Sequence, residues 1–375
     1  MGLNMYTRAM LSVVTLVGLA ATSLPATAAS YSVDCGAGGA ASLVQNQLNA
    51  ITGKNNTLTV TGTCAGMVTV TGIDSLSIVG LSLTGDLYVT AATHIGLSGL
   101  TVNGSIQASD HASLSASSTT LNGYIQAIRN SSVQFDGLTL TQPNAPNNGA
   151  AGSAVLCLQG SDCHFTSSNI SGMPSGDPTT PAIGVQVAST ARLNFASGRI
   201  SGFDWGVHVW NNATAFFNPD CDSLSIDSNK SIGVYVRDGG VVKLEGVPPP
   251  IQASCWGIVL IANNGNYGLL AEGGGQGFLY RADVMGHAID GVRVQDGSVV
   301  KVHSSVIDAA TGTGRSAWVK SHSHLWFDEE VYGPSASSSL AGPVCVTNGS
   351  NVDTDNSATQ LTTINTCASA ATGAQ

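Results

Sequence analysis

The chain has 375 residues and a formal charge of −10, with only 10% charged residues, 45 glycines and eight cysteines. Charged residues make up ~25% of an average globular chain, so the polar surface here is mostly neutral Thr, Ser, Asn and Gln. The acidic balance and the lack of any Lys/Arg cluster exclude a nucleic-acid surface, which depends on neutralising phosphates; hydroxyls and amides suit sugars or ordered water better.

Arg8, an apolar run from Met10 to Ala21 and the small-residue stretch Leu24-Pro25-Ala26-Thr27-Ala28 form an export signal, with cleavage expected after Ala28 and a secreted or periplasmic product. The run is shorter than the ~20 residues that cross a bilayer, and no later segment is long and apolar enough, so the mature chain is predicted to have no membrane span. Next, Ser42 to Ile51 places Val44, Leu48 and Ile51 at helical spacing, and Leu58 to Cys64 alternates as a strand. A helix here would cap an open end of the adjoining structure.

The adjoining segment is a repeat. Four blocks of 19 residues open at Gly66, Gly85, Gly104 and Gly123. Counting from the glycine, small or apolar pairs recur at offsets two and four (Val68/Val70, Leu87/Val89, Ile106/Ala108, Ile125/Ala127) and at ten and twelve (Leu76/Ile78 to Val133/Phe135). A third pair falls at fifteen and seventeen (Leu81/Leu83 to Leu138/Leu140). Period-two pairs separated by Gly, Ser, Asn and Thr turns mean three short strands per block, each block one coil of a parallel solenoid. The Pro-rich stretches 143–149 and 173–181 interrupt the pattern as loops. Longer coils then open at Gly184, Gly206, Gly233, Gly268, Gly291 and Ser316, four of them as Gly-Val-x-Val, with inward residues at offsets one, three, nine and eleven. Extra length comes after the second strand, from Asn218 and from Glu245 to Cys255, where overhanging loops would wall a groove.

These features give a fold class of all-β, a right-handed parallel β-helix with an N-terminal capping helix, since parallel crossovers are almost always right-handed. The predicted organisation is signal 1–28, cap 29–65, β-helix 66–344 and C-terminal cap and tail 345–375. All eight cysteines (Cys35, Cys64, Cys157, Cys163, Cys221, Cys255, Cys345, Cys367) lie beyond the signal, and an even set in an exported chain implies disulfides. Sequence alone leaves the pairing open. The local contacts of a solenoid favour 35 with 64, 157 with 163, 221 with 255 and 345 with 367.

Val33-Asp-Cys35, the capping helix, Leu58-Thr-Val-Thr-Gly-Thr-Cys64 and the repeated Gly-Val-x-Val and Leu-Thr-x-Asn-Gly units resemble secreted bacterial right-handed parallel β-helix repeat proteins of the pectin-lyase-like superfamily, over roughly residues 31 to 345. The resemblance implies the fold and a polysaccharide ligand. It carries no activity across, because the Asn-x-Asp, Asp-Asp, Gly-His-Gly and Arg-Ile-Lys series of polygalacturonases is absent; Gly286-His287 and Arg293 are fragments of it.

Charges and aromatics gather on two outward faces of the longer coils. At offset ten stand Lys243, Phe278, Lys301 and Trp326, and at offset twelve Glu245, Tyr280, His303 and Asp328. On the other face, offsets two and four carry His208, Tyr235, Arg293, Trp210 and Arg237. Glu245, Tyr280 and His303 are the candidate catalytic ladder. Lys243, Phe278, Lys301, Trp326, Asp328, Trp210, Tyr235, Arg237 and Arg293 are the candidate substrate-binding residues. Glu245 and Asp328 lie three coils apart, about 14 Å at a strand spacing near 4.8 Å, too far for a glycosidase carboxylate pair. An elimination at a uronic acid would instead use a base, a cation and an acid, which Tyr280, His303 and the two lysines could supply. Mixed ladders of this kind also simply stabilise sheets through cross-strand pairs.

The principal expectation is therefore a monomeric glycan-binding protein, with a uronan lyase as the enzymatic alternative. Neither a cofactor nor a metal is expected, His322 and His324 being placed on a turn. A third alternative is an ice-binding or purely structural surface, suggested by the outward pairs Ser82-x-Thr84, Thr101-x-Asn103, Thr120-x-Asn122 and Thr139-x-Thr141 in the first coils.

Overall fold

The computed structural model describes residues 28–142, 152–175, 177, 179–219, 222–247, 257–308, 314–328, 339–340, 343–354 and 364–365. Residues 1–27 of the expected export signal 1–28, the expected loop 143–149, Cys221, Cys255, Cys367 and most of the expected overhang 245–255 lie outside them.

Every strand pairs in parallel with its counterpart one coil away. Among the described residues one ladder, face one, has 13 strands and runs from Val68–Thr71 to Ile364–Asn365. The other two faces belong to one sheet of 23 described strands, because Ser113–Asn122 and Ser132–Thr141 pass through both without a break. Face two is the ladder containing Asp74–Val79 and, in later coils, Val241–Glu245, Gln276–Tyr280, Val299–His303 and His324–Asp328. Face three contains Ser82–Thr84, Thr101–Asn103 and their successors.

The repeat seen in the sequence is the register of these ladders. Val68 pairs with Leu87, Leu87 with Ile106 and Ile106 with Ile125. In the longer coils Val185 pairs with Val207, then Val234, Leu269, Val292 and Ala317. These inward side chains are buried in one continuous core. Between the two series, Ile125 pairs with Val155 and Val155 with Val185, so a further coil is present, built from Ser153–Cys157, Asp162–Thr166 and Ser168–Ser171. It opens on Ser-Ala-Val-Leu-Cys without the marker glycine, and so escaped the glycine count. Inside face two, Phe135, Phe165, Phe195 and Phe217 form a stack with centroids 5.7, 5.7 and 6.1 Å apart.

The opening glycine of the short coils is a packing requirement. Gly85 has φ +141°, and a Cβ there would fall well inside contact distance of the Gly66 carbonyl oxygen one coil away. In the longer coils the same corner holds an internal column of polar side chains. Asn229 donates through Nδ2 to Asn264 Oδ1 at 2.9 Å, and Asn264 Nδ2 donates to the Ile226 carbonyl at 3.0 Å. His287, wholly buried, comes after them with its ring nitrogens 3.3 and 3.2 Å from the carbonyls of Asn264 and Ile261. The column keeps its buried amides paired with one another and with corner carbonyls, where a buried unpaired polar group would cost about 1–3 kcal/mol.

The open end is capped by the helix Ser42–Ala50, which buries Val44 and Leu48 over the first coil. A strand, Ser30–Ala40, precedes it and pairs with Asn56–Ala65. The disulfides Cys35–Cys64 and Cys157–Cys163 form as expected, and Cys345 is also disulfide-bonded. The Pro-rich turn after Met173 is held from the next coil by Asp204, whose Oδ2 accepts from Ser175 N, Ser175 Oγ and Ala182 N, each at 2.8 Å.

Candidate functional site

The ladder positions place the predicted residues on two separate faces. On face two, Lys243 pairs in register with Phe278, Phe278 with Lys301 and Lys301 with Trp326; beside them Glu245, Tyr280, His303 and Asp328 pair in the same order. On face one, His208 pairs with Tyr235, and in the later coils Leu270 with Arg293 and Arg293 with Trp318. The candidate set is thus two surfaces, with Trp210, Tyr235, Arg237 and Arg293 on a different sheet from the rest.

Face two is a long strip that changes character along the solenoid. Through the first coils its outer column reads Ser77, Gly96, Ser115 and Gln134. Small side chains leave a shallow trough of about 430 Å³, lined also by Ser98 and Ser117. The column then passes through His164 and Asn194 to Phe216, Lys243, Phe278, Lys301 and Trp326. Phe216 is 41% and Trp326 36% exposed, and every other Phe, Tyr or Trp ring among the described residues is covered more fully. The lysines are positioned by their neighbours. Lys243 Nζ lies 2.6 Å from Glu245 Oε2 and 5.5 Å from the centre of the Tyr280 ring, and Lys301 Nζ lies 4.6 Å from that of Trp326. Tyr280 and His303 are 5.2 Å apart, ring to ring, with His303 only 5% exposed.

Face one holds a denser cluster whose outward side chains are largely covered by one another. Ile232, Tyr235 and Leu270 are buried against Trp205 and Tyr267 as a small hydrophobic patch outside the main core. Trp205 sits edge-on to both His208 and Tyr235, whose rings stack at 4.9 Å. Arg237 donates from Nε to His208 Nε2 at 3.2 Å, which puts the proton of the neutral ring on Nδ1. Burial, reinforced by the charge of Arg237, lowers the His208 pKa to about 3. Burial and the carboxylate of Glu272, to which the Tyr235 hydroxyl donates, push the tyrosine well above its ordinary value. Gln295 donates to the other oxygen of Glu272 at 2.6 Å and accepts from Arg293 Nε at 3.0 Å.

Four of the thirteen Lys and Arg residues, Arg237, Arg293, Arg315 and Lys320, stand on this face in the coils after Trp205, against Glu272 and Asp290. Asp290 is fully buried, and burial raises its pKa although Arg315 Nε donates to it at 2.6 Å. Sequence reasoning missed Asp290 and Arg315, which precede the Gly-Val-x-Val glycine position and were left out of the outward columns. His324 opens a strand instead of lying on the turn, and its Nε2 is 2.8 Å from Asp353 Oδ2; His322 is on the turn with φ +59°. On face three the outward hydroxyl and amide pairs are in register as expected, but Asn122 Nδ2 donates to Asn103 Oδ1 at 2.6 Å and Thr63 and Ser82 hydroxyls lie 3.2 Å apart. Those groups satisfy one another along the column.

In chain path the protein is similar to the A-module of mannuronan C-5 epimerase AlgE6 from Azotobacter vinelandii, with a TM-score of 0.46 and 12% identity over 83% of this chain and 94% of that one. The AlgE4 A-module from the same organism gives 0.44 and 13% over 89% and 100%, and the periplasmic alginate epimerase AlgG 0.40 and 11% over 81% and 74%. No protein-family model matches the sequence, and no curated protein does.

Proposed function

We propose that this is an exported glycan-binding protein that holds an extended polysaccharide along face two. One observation carries the reading. The two most exposed Phe, Tyr or Trp rings in the described chain, Phe216 and Trp326, lie on the same column, with Lys243, Phe278 and Lys301 between them at one residue per coil. Aromatic faces spaced along a straight strip suit the apolar faces of successive sugar rings, and the lysines and the serine-lined trough supply donors and acceptors for hydroxyls. The near-neutral surface elsewhere fits the same ligand class. Disulfides at Cys35–Cys64 and Cys157–Cys163 support an oxidising compartment. Binding is favoured over elimination at Glu245, Tyr280 and His303 because Lys243 is already engaged by Glu245 and His303 is nearly covered.

The test is retention of the purified chain on a panel of immobilised acidic and neutral polysaccharides, with absorbance of unsaturated products measured in parallel. Each ring should contribute about 1–2 kcal/mol, so Phe216→Ala or Trp326→Ala should weaken retention about tenfold while leaving the circular dichroism spectrum unchanged. Retention unaltered by both substitutions would remove face two from consideration, and unsaturated products from the wild type would replace binding by lysis.

A further inference from the structure

The geometry points to a second, separate site on face one, where Arg293, Arg315 and Lys320 converge on Trp318 to receive the carboxylate of an acidic sugar. The guanidinium carbons of Arg315 and Arg293 lie 4.0 and 4.5 Å from the centre of the Trp318 ring, and Lys320 Nζ lies 5.2 Å from it. Three cations around one indole have a single carboxylate in ion-pair contact, Asp290, with the charges of Asp296 and Glu272 acting on Lys320 from further off, in a chain whose overall charge is −10. Glu272, the next acid on this face, is held one coil away by Tyr235 and Gln295.

The cations are held in place by groups that leave donors open. Arg315 uses Nε for Asp290, and Arg293 uses Nε for Gln295 and Nη1 for the Tyr267 hydroxyl at 2.6 Å. The remaining Nη groups of Arg315 and the Lys320 ammonium make no hydrogen bond or ion pair to another described residue. The two arginines are only 14% and 18% exposed, so their side chains are already ordered and largely desolvated, and a ligand would not have to fix them. Two further groups ask for a partner. The Trp318 indole N–H is buried without an acceptor, and the Lys320 ammonium is held below its ordinary pKa by burial and by the charge of Arg293. A carboxylate laid across the cluster would accept from the planar guanidinium forks and neutralise the excess charge, while the indole offers a face to the attached ring. This site does not depend on the strip on face two, which lies on another sheet.

Nuclear magnetic resonance of the full chain labelled with nitrogen-15 at the indoles distinguishes the cases, with glucuronate as probe and glucose as its neutral match. Glucuronate should shift one indole N–H resonance, the one missing from the Trp318→Phe spectrum, and glucose should leave it in place. Lys320→Gln should raise the apparent Kd about tenfold, as expected for loss of a charged hydrogen bond, and Trp326→Ala should leave it unchanged. The proposal is overturned if no indole responds to glucuronate, if glucose gives the same shift, if Lys320→Gln binds as well as the wild type, or if Trp326→Ala alone abolishes the response.

Discussion

Phe165 is the most informative core position to perturb. It is 1% exposed and stacks on Phe135 in the coil before and Phe195 in the coil after, each at 5.7 Å, whereas Phe217 ends the stack with Phe195 as its ring partner at 6.1 Å. Truncation of either ring to alanine removes the transfer free energy of the side chain and leaves a cavity, about 3–5 kcal/mol. Stacked pairs add about 1 kcal/mol each beyond burial, and Phe165→Ala breaks two of them where Phe217→Ala breaks one. Phe165→Ala should therefore be the more destabilising by about 1 kcal/mol. Urea unfolding monitored by circular dichroism measures both. A lower m-value in Phe165→Ala would add that the coils on either side now unfold separately, as nearest-neighbour coupling in a solenoid implies. Equal losses in the two variants, or a smaller one for Phe165→Ala, would refute the idea that the stack contributes anything beyond the area of its rings.

Stability should also fall with acid through the range in which exposed histidines titrate. His208, lowered to about 3, and His287, also lowered by burial, bind protons more weakly in the folded chain than in the unfolded one. Their contribution is complete above the ordinary histidine pKa of about 6.5 and declines as pH drops below it, that of His208 by roughly 1 kcal/mol per pH unit. His208→Gln should flatten the change in urea midpoint between pH 7 and pH 5, and an unaltered slope would rule this ring out as its source. Of the two disulfides, Cys35–Cys64 spans 29 residues and Cys157–Cys163 spans 6. Loop-closure entropy then gives about 3.5 kcal/mol for the first and about 2 for the second, so serine replacement should lower the thermal midpoint more at the first pair; the reverse order would contradict the entropic argument.

The winding was legible in the sequence because each inward position is read repeatedly, once per coil, so Val68, Leu87, Ile106 and Ile125 reinforce one another. The coil from Ser153 was missed because its corner lacks the glycine and Cys157 occupies an inward position usually given to Val or Ala. The internal column of Asn229, Asn264 and His287 was equally invisible: polar residues between strands read as turns, and only the fold reveals the corner carbonyls they bond. Outward columns were placed correctly, but alternation says nothing of how far outward side chains cover each other. His208 and Tyr235 point away from the core and are still 3% and 6% exposed, because Trp205, Ile232 and Leu270 close over them.

The serine-lined trough has a further consequence. It exists only where coils of 19 residues place Ser77, Gly96, Ser115 and Gln134 in line, and each coil adds about 5 Å to it. Because the inward positions of neighbouring coils are interchangeable in kind, excising residues 85–103 would rejoin Gly104 to the Gly66 coil in an equivalent register and shorten the trough by one step. The stretch 66–142 is in that sense a ruler, graduated in coils, whose trough gene duplication or loss would lengthen or shorten without redesigning the material of the scale.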